Sequence, residues 1–162
     1  MTVSKGFRVL GFFSIVLLLL APAAALALEP QGGENLPQKS LFERLGGLMP
    51  ISVVVSDFID ALVPDELLNR NPAIKEARER VPAPYLKFHV TAMVCQATGG
   101  PCQYTGRSMK DSHAHLNITP AVWDRMAAIF KQILDKYKVP EKEQSELLAI
   151  VGTTKGDIVV AK

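Results

Sequence analysis

The chain has 162 residues and carries 18 basic and 16 acidic side chains. Because Lys5 and Arg8 lie in an opening segment without acidic residues, the rest of the chain is neutral overall. A neutral surface gives no reason to expect nucleic acid or an anionic membrane as a partner.

The first 27 residues have the three parts of a secretory signal peptide. Two basic residues precede a strongly apolar stretch from Val9 to Leu20, and Ala25-Leu-Ala27 fits the small-x-small pattern of a cleavage site. A membrane anchor is the alternative, but its apolar stretch runs from Val9 to Leu28 at most, is broken by Pro22 and small residues, and is marginal for a span of about 20 residues. We expect cleavage after Ala27, export to the periplasm or another extracytoplasmic compartment, and no stable membrane insertion afterwards.

Residues 28–39 are rich in proline, glycine and polar side chains, which is typical of a flexible lead-in. The remaining residues, 40–162, are predicted to form one domain. Ser40 and Glu43 form a capping box that begins a short first helix, and Gly46-Gly47 ends it. A second helix is predicted to about Val63, because apolar residues recur there at helical spacing. These residues are Ile51, Val54, Val55, Phe58 and Leu62.

Helical signals continue through the second half of the chain. Pro72 to Arg80 predicts another short helix, since proline is favourable at a helix start. Pro84 opens a helix that Gly99-Gly100-Pro101 ends. Thr119 caps a long helix and Pro140 opens a last one. The apolar face of the long helix consists of Trp123, Met126, Ala127, Phe130, Ile133, Leu134 and Tyr137. With no hairpin signal and no internal repeat, the predicted fold class is all-α.

The three histidines are the candidate functional residues. His89 and His113 are 24 residues apart across the Gly-Gly-Pro break, so two helices folded back on each other could face them across a narrow slot. A neutral imidazole in an apolar space suits a haem iron, and Ser112 or the backbone could accept the proton of the other ring nitrogen of His113. His115 would point to the opposite side of a helix. The stripe that holds His89 is Leu86, His89, Val90, Met93 and Val94. A hydrogen-bonded core histidine is the alternative for His89.

Cys95 and Cys102 flank the same break, seven positions apart. In an exported protein an even number of cysteines favours a disulfide. A helix end followed by a tight turn could bring the two α-carbons within about 4.4–6.8 Å, which a disulfide requires. Free thiols and a redox-active pair are the alternatives. Neither cysteine has the Cys-x-x-Cys-His spacing of covalent haem attachment.

The stretch from Ser40 to about Ile158 resembles the group I truncated haemoglobins, bacterial-like globins that pack helices two-over-two around haem b. The motifs that carry the resemblance are Leu-Phe-Glu-Arg-Leu-Gly-Gly at 41–47, Gly99-Gly100-Pro101, Tyr104-Thr-Gly106-Arg107 and Met109-Lys-Asp-Ser-His113. The resemblance implies that His113 binds the haem iron and that His89 lies on the distal side, as hydrogen-bond donor to O₂ or NO or as a sixth iron ligand. Further implied haem contacts are Leu86, Met93, Met109 and Phe58.

Two departures from the family concern the distal side. Ile59 stands where many members have a tyrosine, and no aromatic residue lies between Leu67 and Ala73, where members have one over the haem edge. His89 is therefore the expected distal donor. Lys87, Arg107 and Lys110 are candidate partners of the haem propionates, and ordinary solvated surface charges are the alternative for each.

The resemblance implies a monomeric, haem-binding globin that binds O₂ and NO reversibly, for oxygen transport or NO detoxification. NO dioxygenase chemistry with an unknown reductase, or a weak peroxidase side activity, would be compatible with it. One alternative is a zinc or copper site at His113-Ala-His115. It is weaker, because histidines two positions apart diverge on a helix and no acidic or cysteine ligand set lies nearby. The other is a cofactor-free helical interaction protein of the periplasm.

Overall fold

The computed structural model describes residues 38–160, so the predicted signal peptide and most of the lead-in lie outside the described residues. Within this range the chain is helical, as predicted, and its extended pairing is one parallel bridge between Ile118 and Val159. None of these helices is both long enough and apolar enough to cross a membrane. The helices are α1 (Leu41–Arg44), α2 (Leu48–Leu62), α3 (Glu66–Asn69), α4 (Pro72–Arg80), α5 (Ala83–Ala97), α6 (Met109–His113), α7 (Pro120–Lys136), α8 (Glu141–Thr153) and α9 (Lys155–Ile158).

Side-chain caps fix where several helices begin. The capping box before α1 is present: Ser40 Oγ accepts a hydrogen bond from the Glu43 amide, and Glu43 Oε2 accepts one from the Ser40 amide. Thr119 caps α7 as predicted. Each such cap contributes about 1 kcal/mol by satisfying an amide that the helix leaves without a partner. Asp65, Asn71 and Ser108 cap α3, α4 and α6 in the same way.

Glycine turns end α1 and α5, as the sequence predicts. Gly46, Gly47 and Gly99 have φ values of +87°, +84° and +85°, a left-handed backbone that favours glycine. The turn after α5 also lies against α1, where the Phe42 amide donates to the Thr98 carbonyl at 2.8 Å.

Helix α2 lies at the centre of the packing and contacts both α5 and α7. One core cluster consists of Ile51, Val55 and Ile59 of α2, against which Val90 and Val94 of α5 pack. A second joins α1, α7 and α8 through Leu41, Phe130, Leu134 and Leu147. A third lies between α3, α7 and α9 and consists of Leu68, Ile118, Val122, Trp123 and Ile158.

One prediction about the long helix is wrong. Tyr137 was expected on the apolar face of α7, but its side chain is 37% exposed at the end of the helix. Its hydroxyl donates a 2.6 Å hydrogen bond to Asp57 Oδ2 of α2. A phenol needs a partner for its hydroxyl, and a surface carboxylate provides one here.

Candidate functional site

His113 is the last residue of α6, a short helix that packs against α9. Its Nδ1–H donates a 2.8 Å hydrogen bond to the carbonyl of Met109, one turn earlier. The backbone, rather than Ser112, therefore accepts the ring proton. Burial lowers the pKa of His113, so the neutral imidazole is favoured. With Nδ1 protonated, Nε2 keeps its lone pair and can bind a metal.

The residues on either side of His113 in the chain pack into the core. Met109, Leu116 and Met126 pack against the cluster that contains Trp123. His115 is exposed, in keeping with its position two residues after His113. The two histidines do not converge, and across residues 38–160 no group of three or more His, Cys, Asp or Glu side chains could hold a metal ion. The zinc or copper alternative therefore lacks a ligand set within the described residues.

His89 lies in the middle of α5 and is half-buried. Its Nδ1 is buried and has no hydrogen-bond partner among the described residues. This disfavours the alternative of a hydrogen-bonded core histidine, because a buried polar atom is normally paired when its role is structural. The rings around it belong to Tyr85, Phe88 and Tyr104.

The helices that carry His89 and His113 pack on different neighbours. Helix α5 packs on α2 and α6 packs on α9, whereas α5 and α6 are not closely packed on each other. The connection between them is stapled by a disulfide from Cys95 to Cys102, with 5.7 Å between the α-carbons. The two histidine-bearing helices thus have different packing partners and are joined by a cross-linked connection.

The remaining predicted cofactor contacts fall into two groups. Leu86 and Met93 of α5 and Met109 of α6 lie on the two histidine-bearing helices, and Leu86 and Met93 belong to none of the core clusters among residues 38–160. Phe58 instead packs on Phe130, with 5.1 Å between the ring centroids, in the core between α2 and α7. This packing is sufficient to explain why the Phe58 ring lies in the core, without a contact to a cofactor.

The isoleucine that stands at position 59, where many truncated globins have a tyrosine, is buried in the structure. Ile59 is only 3% exposed and sits within the α2 core cluster, so no hydroxyl is available at that position. Of the three cations expected near the propionates, Lys87 is paired with Asp60 at 2.7 Å. Arg107 and Lys110 are exposed and form no ion pair with the described residues.

A cavity of about 440 Å³, which the sequence pattern does not predict, lies between the start of α2, the end of α7 and α8. Its lining includes Met49, Val54, Phe130 and Leu134. Neither His89 nor His113 lines it. The sequence pattern also did not predict that Tyr85, Phe88 and Tyr104 contact His89. The helical spacing of Tyr85 and His89, four residues apart, was the available signal for the first of these contacts.

Known proteins resemble the chain over nearly all described residues. A family model described as bacterial-like globin matches residues 40–160. The group 1 truncated haemoglobin GlbN of Synechocystis sp. is 26% identical over 118 residues, which cover 70% of this chain and 90% of that protein. GlbN of Mycolicibacterium paratuberculosis is 27% identical over 123 residues, which cover 76% of this chain and 86% of that protein.

Among solved structures, the 2/2 haemoglobin of Synechococcus sp., in the cyanomet state and with covalently attached haem, is similar to the chain with a TM-score of 0.66. It is 26% identical, and the match covers 75% of this chain and 98% of that one. This likeness confirms the predicted all-α, two-over-two globin fold.

Proposed function

The chain belongs to the bacterial-like globin family, as a truncated globin of the group I type, and on this premise we propose that it holds haem b between α5 and α6 and reversibly binds O₂ or NO. His113 is the residue that binds the iron. His89 acts from the opposite side, and Leu86, Met93 and Met109 line the site.

The observation that carries this proposal is the hydrogen bond from His113 Nδ1–H to the Met109 carbonyl. A histidine that binds a metal through one nitrogen normally donates a hydrogen bond from the other, which fixes its tautomer and raises its basicity. His113 has this arrangement, and burial keeps its imidazole neutral. The residues therefore fit a haem. When bound, the haem supplies an iron that takes up small diatomic gases.

His89 determines the chemistry on the distal side, because buried Ile59 offers no hydroxyl there. With haem bound, His89 would have two states. In one it would donate a hydrogen bond to a diatomic ligand between α5 and α6. In the other its Nε2 would itself be an iron ligand, which a gas would have to displace. We propose that the second state is populated to some extent, because Ile59 offers no polar group that could take the place of His89.

The physiological setting that we propose is an extracytoplasmic compartment, with oxygen binding or NO detoxification as the role. The signal-peptide pattern of residues 1–27 supports export. The disulfide between Cys95 and Cys102 also supports it, since such bonds persist mainly in oxidising compartments. Conversion of NO to nitrate would need O₂ and a reductant supplied by a partner.

The absorption spectrum of the purified protein, before and after haem reconstitution, tests the haem proposal. We expect a Soret band in the wild type and its loss in His113→Ala, because the variant has no imidazole on α6 that points into the slot. His115→Ala is the matched control, since it removes an exposed imidazole two residues away, and it should keep the band. A wild type that takes up no haem, or a His113→Ala variant that binds haem as tightly as His115→Ala does, would contradict the proposal.

A further inference from the structure

Three aromatic rings contact the imidazole of His89. Tyr85 lies one turn earlier on α5, with 4.3 Å between the ring centroids and a tilt of 57°. Phe88 contacts the imidazole edge-on at 5.2 Å. Tyr104 approaches from the connection between α5 and α6, at 6.0 Å and nearly perpendicular. Tilted and edge-to-face contacts at these distances are the favourable geometries for aromatic pairs.

Two hydrogen bonds and a tight turn define the position of Tyr104. Its amide donates a 2.6 Å hydrogen bond to Gln96 Oε1 of α5, and its hydroxyl donates a 2.7 Å hydrogen bond to the Arg107 carbonyl. The turn closes so tightly over the ring that a β-carbon at Gly106 would overlap the phenol. Two residues earlier, Cys102 is bonded to Cys95 of α5. Tyr104 is thus tied to the helix that carries His89.

The orientation of His89 depends on these rings rather than on hydrogen bonds. Its Nδ1 is buried and unpartnered, and no hydrogen bond from its Nε2 to the described residues is present. The two nitrogens of an imidazole diverge, so enclosing Nδ1 leaves Nε2 as the atom that can reach a ligand.

We propose that Tyr85 and Tyr104 are positioning residues that hold His89 with Nε2 available to the slot between α5 and α6, and so favour the state in which His89 binds the haem iron. The inference rests on the proposed haem site. Fixing the ring in advance removes the conformational entropy that a mobile histidine would lose on binding. Tyr85 is 58% exposed, so its packing on His89 contributes little to the core and can be changed separately from folding.

The ferric form of the haem-loaded full chain provides the test. Electron paramagnetic resonance and visible spectra measure the ratio of low-spin haem, with His89 bound, to high-spin haem, and His89→Ala sets the background. We expect Tyr85→Leu to lower this ratio roughly two- to tenfold, the effect of losing one aromatic contact. Tyr85→Phe should restore the wild-type ratio because it keeps the ring. The CO association rate of the ferrous form should rise in Tyr85→Leu in step with the lost low-spin fraction.

Tyr104→Leu against Tyr104→Phe is the second pair, and the ratio should fall in the first more than in the second. Haem content, measured on the same samples, separates the two proposals. A wild type without haem would overturn the proposed function and this inference together. A wild type that binds haem through His113 but shows no His89-dependent low-spin form would overturn the positioning role alone. So would a Tyr85→Leu ratio equal to or above that of the wild type.

Discussion

The imidazoles of His113 and His89 differ in what their Nδ1 atoms contact. His113 Nδ1 has the Met109 carbonyl at 2.8 Å, whereas His89 Nδ1 is buried without a partner. A hydrogen bond to the second nitrogen makes an imidazole a better ligand. His113 should therefore be the permanent iron ligand, and His89 a weaker one that a gas can displace.

Replacement of His89 by alanine tests this difference. We expect the variant to keep its haem, to lose the low-spin ferrous spectrum, and to bind CO faster, because no internal ligand has to leave first. If His89 also donates a hydrogen bond to O₂, the O₂ dissociation rate should rise roughly five- to a hundredfold, for a loss of about 1–3 kcal/mol. Stopped-flow and flash-photolysis kinetics measure both rates. Spectra and rates identical to the wild type would contradict any distal role of His89.

Sequence periodicity was sufficient for some parts of the site and not for others. Helical spacing predicts the nearness of Tyr85 to His89 four residues later. His115 is exposed as predicted, but for another reason: α6 ends at His113, so His115 lies in the turn that follows. The contact between Tyr104 and His89 depends on the path of residues 98–108. That path is set by a disulfide and by hydrogen bonds to Gln96 and Arg107, which no helical period encodes.

At the level of helices, the glycines differ in what they contribute. A β-carbon at Gly100 would stand 2.5 Å from Phe42 Cδ2 and 2.8 Å from the Cys95 carbonyl, so the turn after α5 can pack on α1 only with glycine there. Gly152 in α8 has nothing within 4 Å of the same point. The same residue type is thus required for packing at one position and dispensable at the other.

Gly100→Ala should therefore lower the free energy of unfolding by about 1–3 kcal/mol, because the added methyl group forces α1 and α5 apart. Gly152→Ala should raise it by about 0.5–1 kcal/mol, since alanine restricts the unfolded chain and favours the helix. Urea unfolding of variants with equal haem content measures both. Equal effects of the two substitutions would show that the close approach at Gly100 does not matter.

A second link between helices joins α2 to the end of α7. Asp57 Oδ2 accepts hydrogen bonds from Lys136 Nζ and from the Tyr137 hydroxyl, each at 2.6 Å. The Lys136 bond first, and the Tyr137 bond second, hold the pKa of Asp57 below its usual value. Since the folded-state pKa is the lower one, this link stabilises the fold above the unfolded-state pKa and is lost as the pH falls through the folded-state pKa.

Asp57→Asn should therefore lower stability at neutral pH and reduce the stability that the protein loses between neutral and acidic pH. The matched control is Asp124→Asn. Asp124 forms a longer, 3.3 Å ion pair with Lys155 and accepts no tyrosine hydroxyl, so its replacement should have the smaller effect. Unfolding curves at a series of pH values measure the difference. If the free energy of unfolding of Asp57→Asn varied with pH as that of the wild type does, Asp57 would not contribute to the acid sensitivity of the fold.

For the molecule as a whole, we expect the disulfide to form once the chain has been exported to an oxidising compartment. All of the surplus positive charge lies in the predicted signal peptide, and the disulfide closes a short loop beside the proposed haem site. In the chain-entropy description, cross-linking cysteines seven positions apart stabilises the fold by about 2–3 kcal/mol. A chain that stayed in a reducing compartment would lose that contribution.

Expression of the full chain in a bacterium with a periplasm tests both parts by one intact-mass measurement. We expect the mature protein in the periplasmic fraction to begin at Leu28 and to weigh two hydrogen atoms less than its reduced form. The double variant Cys95→Ala/Cys102→Ala should be cleaved and exported normally but unfold at lower urea concentration, because the signal and the disulfide act independently. An uncleaved chain that stays in the membrane fraction would instead favour a membrane anchor within Val9 to Leu28. A cleaved chain with two free thiols would support export but would show that no disulfide holds Tyr104 near His89.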